Sequence, residues 1–242
     1  MLNEEIIDQH GRENQMSIFD NSSRSKYALI AFGIYAAITS IYLLSSYMQL
    51  NILEDFQNGV YVSNDEAELN DQRHAIITYL NIIGQIMTAI FFLMWFKKGY
   101  ENINTVGIDS TNYSVWSSVW SWIVPILSLF RPVQIMTEIS EKTQSTIQHF
   151  DPEYKLKSYK SLIGIWWATF IITHIMDRVF DSTSNNMNDT INGYITMTEN
   201  EIISAAVTIP EIAIVMLLIY RISKTENLAK EKVLENGGYL VS

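Results

Sequence analysis

The sequence predicts an all-α integral membrane helix bundle, with four transmembrane helices and one Trp/Pro-rich helical segment that re-enters the bilayer or lies in its interface. Three observations carry that prediction. Apolar residues gather in blocks long enough to cross hydrocarbon. Lys and Arg fall between those blocks in an alternating pattern. A stretch dense in Trp and Ser, broken by Pro, separates the second block from the third. Averages conceal all of this: of 242 residues, 48% are hydrophobic and 17% charged, the net charge is −10, and the mean hydropathy is +0.08. A typical soluble domain carries roughly 25% charged residues.

Residues 1–26 read as a polar cytoplasmic tail containing Glu4, Glu5, Asp8, Glu13 and Asp20. No short apolar run follows a basic start, so the first span is expected to be a retained anchor and not a cleaved signal. About 20 apolar residues cross 30 Å of hydrocarbon at 1.5 Å per residue. The first such block, about 27–50, has no charge, and its Tyr27, Tyr35, Tyr42 and Tyr47 include interfacial anchors near each end. The second, about 75–96, is also uncharged and stops at Lys97-Lys98. The third, about 162–180, carries His174, Asp177 and Arg178 in its later half, and the fourth, about 202–220, is interrupted by Pro210-Glu211. Residues 221–242 read as a cytoplasmic tail. A soluble bundle would need regular charges along one face of each helix, and the first two blocks lack them.

The middle segment, about 113–145, is placed by the positive-inside rule. Bases cluster at 12–26, at 97–98, at 131–160 and after Tyr220, whereas the stretches 51–74 and 181–201 together hold ten acids and one base, Arg73. If Tyr113–Phe130 crossed the membrane, base-rich stretches would lie on both sides. If it does not cross, every base-rich segment shares the cytoplasmic side with both termini. Tyr113, Trp116, Trp120 and Trp122 suit headgroup depth, Pro125 removes a backbone donor, and Pro132 suits the first turn of a new helix. Val133, Met136 and Ile139 recur at helical spacing. That helix either lies on the inner leaflet or packs on the end of the bundle.

The residues of this region follow a recurring order. Trp95-Phe96, Tyr100 and Asn102 form W-F-x3-Y-x-N and are followed by Gly107, then Trp120 and Trp122, then Pro125-Ile126, Leu129 and Arg131-Pro132 as P-I-x2-L-x-R-P, and finally Glu138. With Trp166-Trp167 opening the third span, the chain resembles a bacterial multi-pass membrane family known only as a domain of unknown function. The signature covers about residues 95–140, and the hydrophobic layout extends the resemblance across most of the chain. The resemblance implies a multi-pass bacterial membrane protein with the middle segment as its hallmark, and implies no activity; the expected location is the bacterial inner membrane. The acidic stretch at 51–74 and the long N-terminal tail depart from the family.

Acidity argues against a nucleic-acid partner, because phosphate neutralisation needs a basic face. The absence of cysteine removes thiolate chemistry and Cys-ligated metal. His10, His74, His149 and His174 have no metal-ligand spacing, and no hydrolase, P-loop or dinucleotide motif is present; no cofactor and no metal are expected. The acidic run at 64–68 lacks the spacing of a calcium loop and reads as a solvated surface. Within the spans, Glu211 lies near the midplane beside Pro210, with Gln85 at similar depth and His174 further out. These residues read either as a proton or cation path or as a structural clasp between helices. Asp177 and Arg178 reach the interface by snorkelling, while Arg131 reads either as an anion or lipid-phosphate ligand or as a cap on the preceding carbonyls.

The leading expectation is a non-enzymatic membrane component. It would bind membrane lipid, a protein partner or a second copy through Trp95, Tyr100, Asn102, Trp120, Trp122, Pro125, Arg131, Pro132 and Glu138. The alternative is a small ion- or proton-coupled transporter using Glu211, Gln85 and His174.

Overall fold

A computed structural model describes residues 20–106, 110–185 and 190–236. The N-terminal residues 1–19, the signature's Gly107 and the Asn-rich stretch 186–189 lie outside the described residues. Among the described residues there are six α-helices and one 3₁₀ turn, with no strand. They are α1 (Ser22–Gln57), α2 (Asn64–Val106), α3 (Ser117–Ile123), the 3₁₀ turn (Leu127–Leu129), α4 (Arg131–Phe150), α5 (Lys160–Asn185) and α6 (Ile191–Glu235). Helices α1, α2, α5 and α6 are long and apolar enough to cross a membrane. The seven-residue α3 rises only about 10 Å and cannot.

Each long helix overruns its apolar block. The stretch 51–74, read from the sequence as an acidic loop, is helical except at 58–63, and 191–201 belongs to α6. Local capping explains the first of these. Val60 N–H donates to Asp55 C=O at 2.9 Å and Gly59 N–H to Phe56 C=O at 3.2 Å. This pair of bonds closes a helix with a left-handed residue, and Gly59 has φ +75°. Ser63 then starts α2: its Oγ accepts Glu66 N–H at 3.2 Å, and its C=O accepts Ala67 N–H at 3.0 Å. Asp65 and Glu66 occupy the first turn, where the helix dipole favours negative charge. The acidic run is thus a helix start as well as a solvated surface. Likewise, Asn192-Gly193 sits in the first turn of α6.

The chain divides into two compact units. Among the described residues, the first comprises those of 20–29, 90–165 and 216–236, and the second those of 30–89 and 166–215. The first unit has a conventional apolar core, in which Trp95, Phe96, Tyr100, Ile135, Met136, Ile139, Leu218, Ile219 and Ile222 are almost wholly buried. Helix α4 packs into this unit, with half of its twenty residues buried. Its inward face is built on Ile135, Met136, Ile139 and Ile147, so the packed arrangement holds and Val133 is only half-buried.

The second unit is built the other way round. Thr39, Ser45, Ser46, Asn70, Thr88, Thr173 and Thr198 are buried there, while Ile34, Ile41, Leu44, Ile76, Ile83 and Ile172 are exposed. A water-soluble domain does not leave so much contiguous aliphatic surface exposed, whereas small polar residues between helices and aliphatic side chains outside suit a lipid solvent. The fold is an all-α membrane protein.

Candidate functional site

Two of the signature residues, Tyr100 and Glu138, meet in the first unit. Glu138 Oε2 accepts the Tyr100 hydroxyl at 2.9 Å, its Oε1 accepts Asn112 N–H at 2.8 Å, and Lys142 Nζ lies 2.7 Å away. Tyr113 N–H in turn donates to the Tyr100 oxygen at 3.0 Å. One buried carboxylate on α4 therefore ties α2 to the linker that leads into α3. The Tyr100 hydroxyl has its pKa raised, first by burial and then by Glu138, which accepts its proton in a hydrogen bond.

That linker delivers a two-faced segment. Inward, Ser118 and Ser121 are buried, and the Trp122 ring meets Phe92 and Phe96 edge-on at centroid distances of 5.3 and 5.8 Å. Outward, Trp116, Trp120, Ile123, Val124, Ile126, Leu129 and Phe130 are all exposed, Ile126 to 72%. Pro125 explains the break, because the residue before a proline is pushed out of helical geometry, and Val124 has ψ 115°. Pro132 stands in the first turn of α4. Two cations lie against the segment's aromatic rings: Lys97 Nζ is 4.1 Å from the Trp116 centroid, and the Arg131 guanidinium is 4.2 Å from that of Tyr113. Arg131 stacks there, and its buried Nε has no hydrogen-bond partner among the described residues.

Trp95 lies in the core below, with its indole N–H donating to Ser223 Oγ at 3.0 Å. Close by is a group the sequence reading passed over. Glu226 is buried with no cation paired to it among the described residues. Asn21 Nδ2 donates to both its oxygens, at 3.1 and 3.2 Å, and to the Trp95 carbonyl at 3.1 Å. Burial pushes the Glu226 carboxyl up to about 7, with the hydrogen bonds from Asn21 acting in the opposite direction. Gly99 makes room for it, since a Cβ there would stand 2.9 Å from Glu226 Oε1. A cavity of about 10 Å³ adjoins Glu226, lined also by Asn102, Thr143 and Thr146. The signal was present: the buried stripe Val215, Leu218, Ile222, Ala229 and Val233 continues at helical spacing past Tyr220, and Glu226 falls on it.

The intramembrane set is only partly assembled in the second unit. Glu211 is half-buried and lies near Thr173 and Asp177. Asp177 accepts the Ser204 hydroxyl at 2.7 Å. Gln85 is exposed, and so is His174, whose ring nitrogen bonds the Phe170 carbonyl of its own helix at 2.9 Å. Arg178 is exposed as well. A different histidine is engaged: His74 Nε2 stands 3.0 Å from Glu201, with Ser45 Oγ at 3.2 Å from Nδ1 and the Tyr42 ring stacked on it. No group of three metal-ligating side chains occurs among the described residues.

Compared with known families, residues 58–224 match the model of one described as a domain of unknown function, DUF4328. The chain belongs to the DUF4328 family. The match takes in α2 through most of α6, with Trp95, Tyr100, Trp122, Arg131 and Glu138 inside it. Asn21 and Glu226 stand outside it. No curated protein and no solved structure matches the chain.

Proposed function

We propose that this DUF4328 protein is a non-enzymatic membrane component whose segment 113–130 seats in the bilayer interface and binds lipid. One observation carries the reading: Trp116, Trp120, Ile123, Val124, Ile126, Leu129 and Phe130, in and around α3 and the 3₁₀ turn, face outward, while Ser118 and Ser121 are buried. Exposed Trp rings favour headgroup depth, and Lys97 and Arg131, stacked at its edges, are suited to lipid phosphates. Basic side chains favour this side as the cytoplasmic one, with both termini there. Among the described residues of 90–165 and 216–236 there are Lys97, Lys98, Arg131, Lys142, Lys155, Lys157, Lys160, Arg221, Lys224, Lys230 and Lys232, whereas 30–89 and 166–215 hold only Arg73 and Arg178.

The test uses purified full-length protein reconstituted with brominated phosphatidylglycerol and phosphatidylcholine. Trp116→Ala/Trp120→Ala should remove most of the bromine-quenched tryptophan emission and reduce co-purified lipid, with the melting temperature unchanged. Trp122→Ala should instead destabilise the fold, because it deletes a core ring. Retained quenching and lipid in the Trp116/Trp120 variant would defeat the proposal; a lost co-purified protein with unchanged lipid would redirect it to a protein partner.

A further inference from the structure

A second site lies in the first unit, away from the Trp segment. It is a cleft of about 290 Å³ lined by Tyr154, Lys157, Tyr159, Lys224, Asn227 and Glu231. Its volume is near the lower end for small-molecule clefts. Two features set it apart from an ordinary basic surface.

First, its ammonium groups are uncommitted. Neighbouring lysines are paired: Lys160 with Glu141 at 2.8 Å, Lys230 with Asp20 at 3.5 Å and Lys232 with Glu235 at 3.1 Å. Lys157 and Lys224 form no ion pair among the described residues, although Glu231 lines the same cleft. Second, its wall is built from the interior. Gln144 on α4 is 3% exposed and grips both backbone groups of Lys157: Lys157 N–H donates to Gln144 Oε1 at 2.6 Å, and Gln144 Nε2 donates to the Lys157 carbonyl at 2.9 Å. Tyr159 and Thr225 hydroxyls meet at 3.4 Å across the linker and α6. An irregular linker residue held by a buried amide has its place specified, so its side chain starts from a defined point.

We propose that this cleft binds a phosphate group carried on a small organic body. Lys157 and Lys224 neutralise the phosphate, as point charges that need no planar geometry. The Tyr154 and Tyr159 rings flank the body, and Glu231 accepts a hydroxyl or ammonium hydrogen from it. A phospholipid headgroup and a soluble phosphate ester share this chemistry. The site is independent of the Trp segment.

Full-length protein in an uncharged detergent would be titrated calorimetrically with glycerol 3-phosphate. In parallel it would be reconstituted in phosphatidylcholine nanodiscs containing increasing phosphatidylglycerol, with binding read by Tyr and Lys perturbation. Saturable binding of the soluble ester supports the proposal and assigns the soluble source. Saturation with phosphatidylglycerol alone supports it and assigns the headgroup. In either arm, Lys157→Gln/Lys224→Gln should weaken binding by about tenfold or more with an unchanged melt, and Lys157→Arg/Lys224→Arg should retain it. Trp116→Ala/Trp120→Ala should leave it unchanged, which separates this site from the lipid-seating segment. Absence of saturable binding in both arms, or equal affinity in the Gln double variant, overturns the proposal.

Discussion

Glu226 is a buried carboxyl whose pKa is raised by its burial. A carboxyl whose pKa rises from about 4.5 unfolded to about 7 folded binds more protons in the native state across that interval. Stability is then fully present below the unfolded value and falls as pH climbs through the folded one. Glu226→Gln keeps the shape, removes the charge and should flatten the decline between pH 5 and 8. At pH 8 it should gain about 1–3 kcal/mol, a discounted reading of the shift; thermal melts of the detergent-solubilised protein at each pH check both the slope and the sign. An unchanged slope would show that another group titrates. This residue was legible only in part. Its place on an apolar stripe could be read from spacing, but its partner Asn21 lies some two hundred residues away in sequence, and nothing in either segment announces the meeting. Tyr100 and Glu138 were singled out by motif order, and the hydrogen bond between them came from packing.

The helices show which signals travel well from sequence to structure. Four apolar blocks became four long helices because bilayer-length hydrophobicity admits little else. Their ends did not follow the blocks, since polar residues extend a helix wherever caps are supplied, and the caps at Gly59 and Ser63 were not recognised inside an acidic run. These caps make a prediction for the α1–α2 connection. At Gly59 a Cβ would meet nothing within 4 Å, so Gly59→Ala isolates the backbone cost of φ +75°, about 1–2 kcal/mol. Ser63→Ala should cost about 1 kcal/mol through the lost cap. Hydrogen exchange should rise at the end of α1 in the first variant and at the start of α2 in the second, with the apolar core of the first unit still protected. A Gly59→Ala protein as stable as the parent would rule out a left-handed residue there. The middle segment was legible in kind, because Trp, Ser and Pro together disfavour an uninterrupted span. Which of its tryptophans is core was not, and only the structure separates Trp122 from Trp116 and Trp120.

Across the whole molecule, charge is sorted as thoroughly as hydropathy. Counted over the full sequence, residues 30–89 and 166–215 hold twelve acids and two bases and the remainder of the chain fourteen of each, so the net −10 belongs entirely to residues 30–89 and 166–215. The proposed orientation can be checked on the native zero-cysteine background. Single cysteines at the exposed positions Glu68 and Lys155 should react with an impermeant maleimide from opposite faces of sealed vesicles, Lys155→Cys from the cytoplasmic face; reaction from the same face would refute four crossings. The capped connection between α1 and α2 also has a bearing on how the chain enters the membrane. Its residues 51–74 carry six acids and one arginine, a net −5 that the proposed orientation requires to be carried across during insertion. A membrane potential positive outside does work of about 2.3 kcal/mol on each such charge per 100 mV, on the order of 10 kcal/mol in all. The acidic hairpin would then act as an electrophoretic handle, and the energised membrane itself would help draw the first two helices into place.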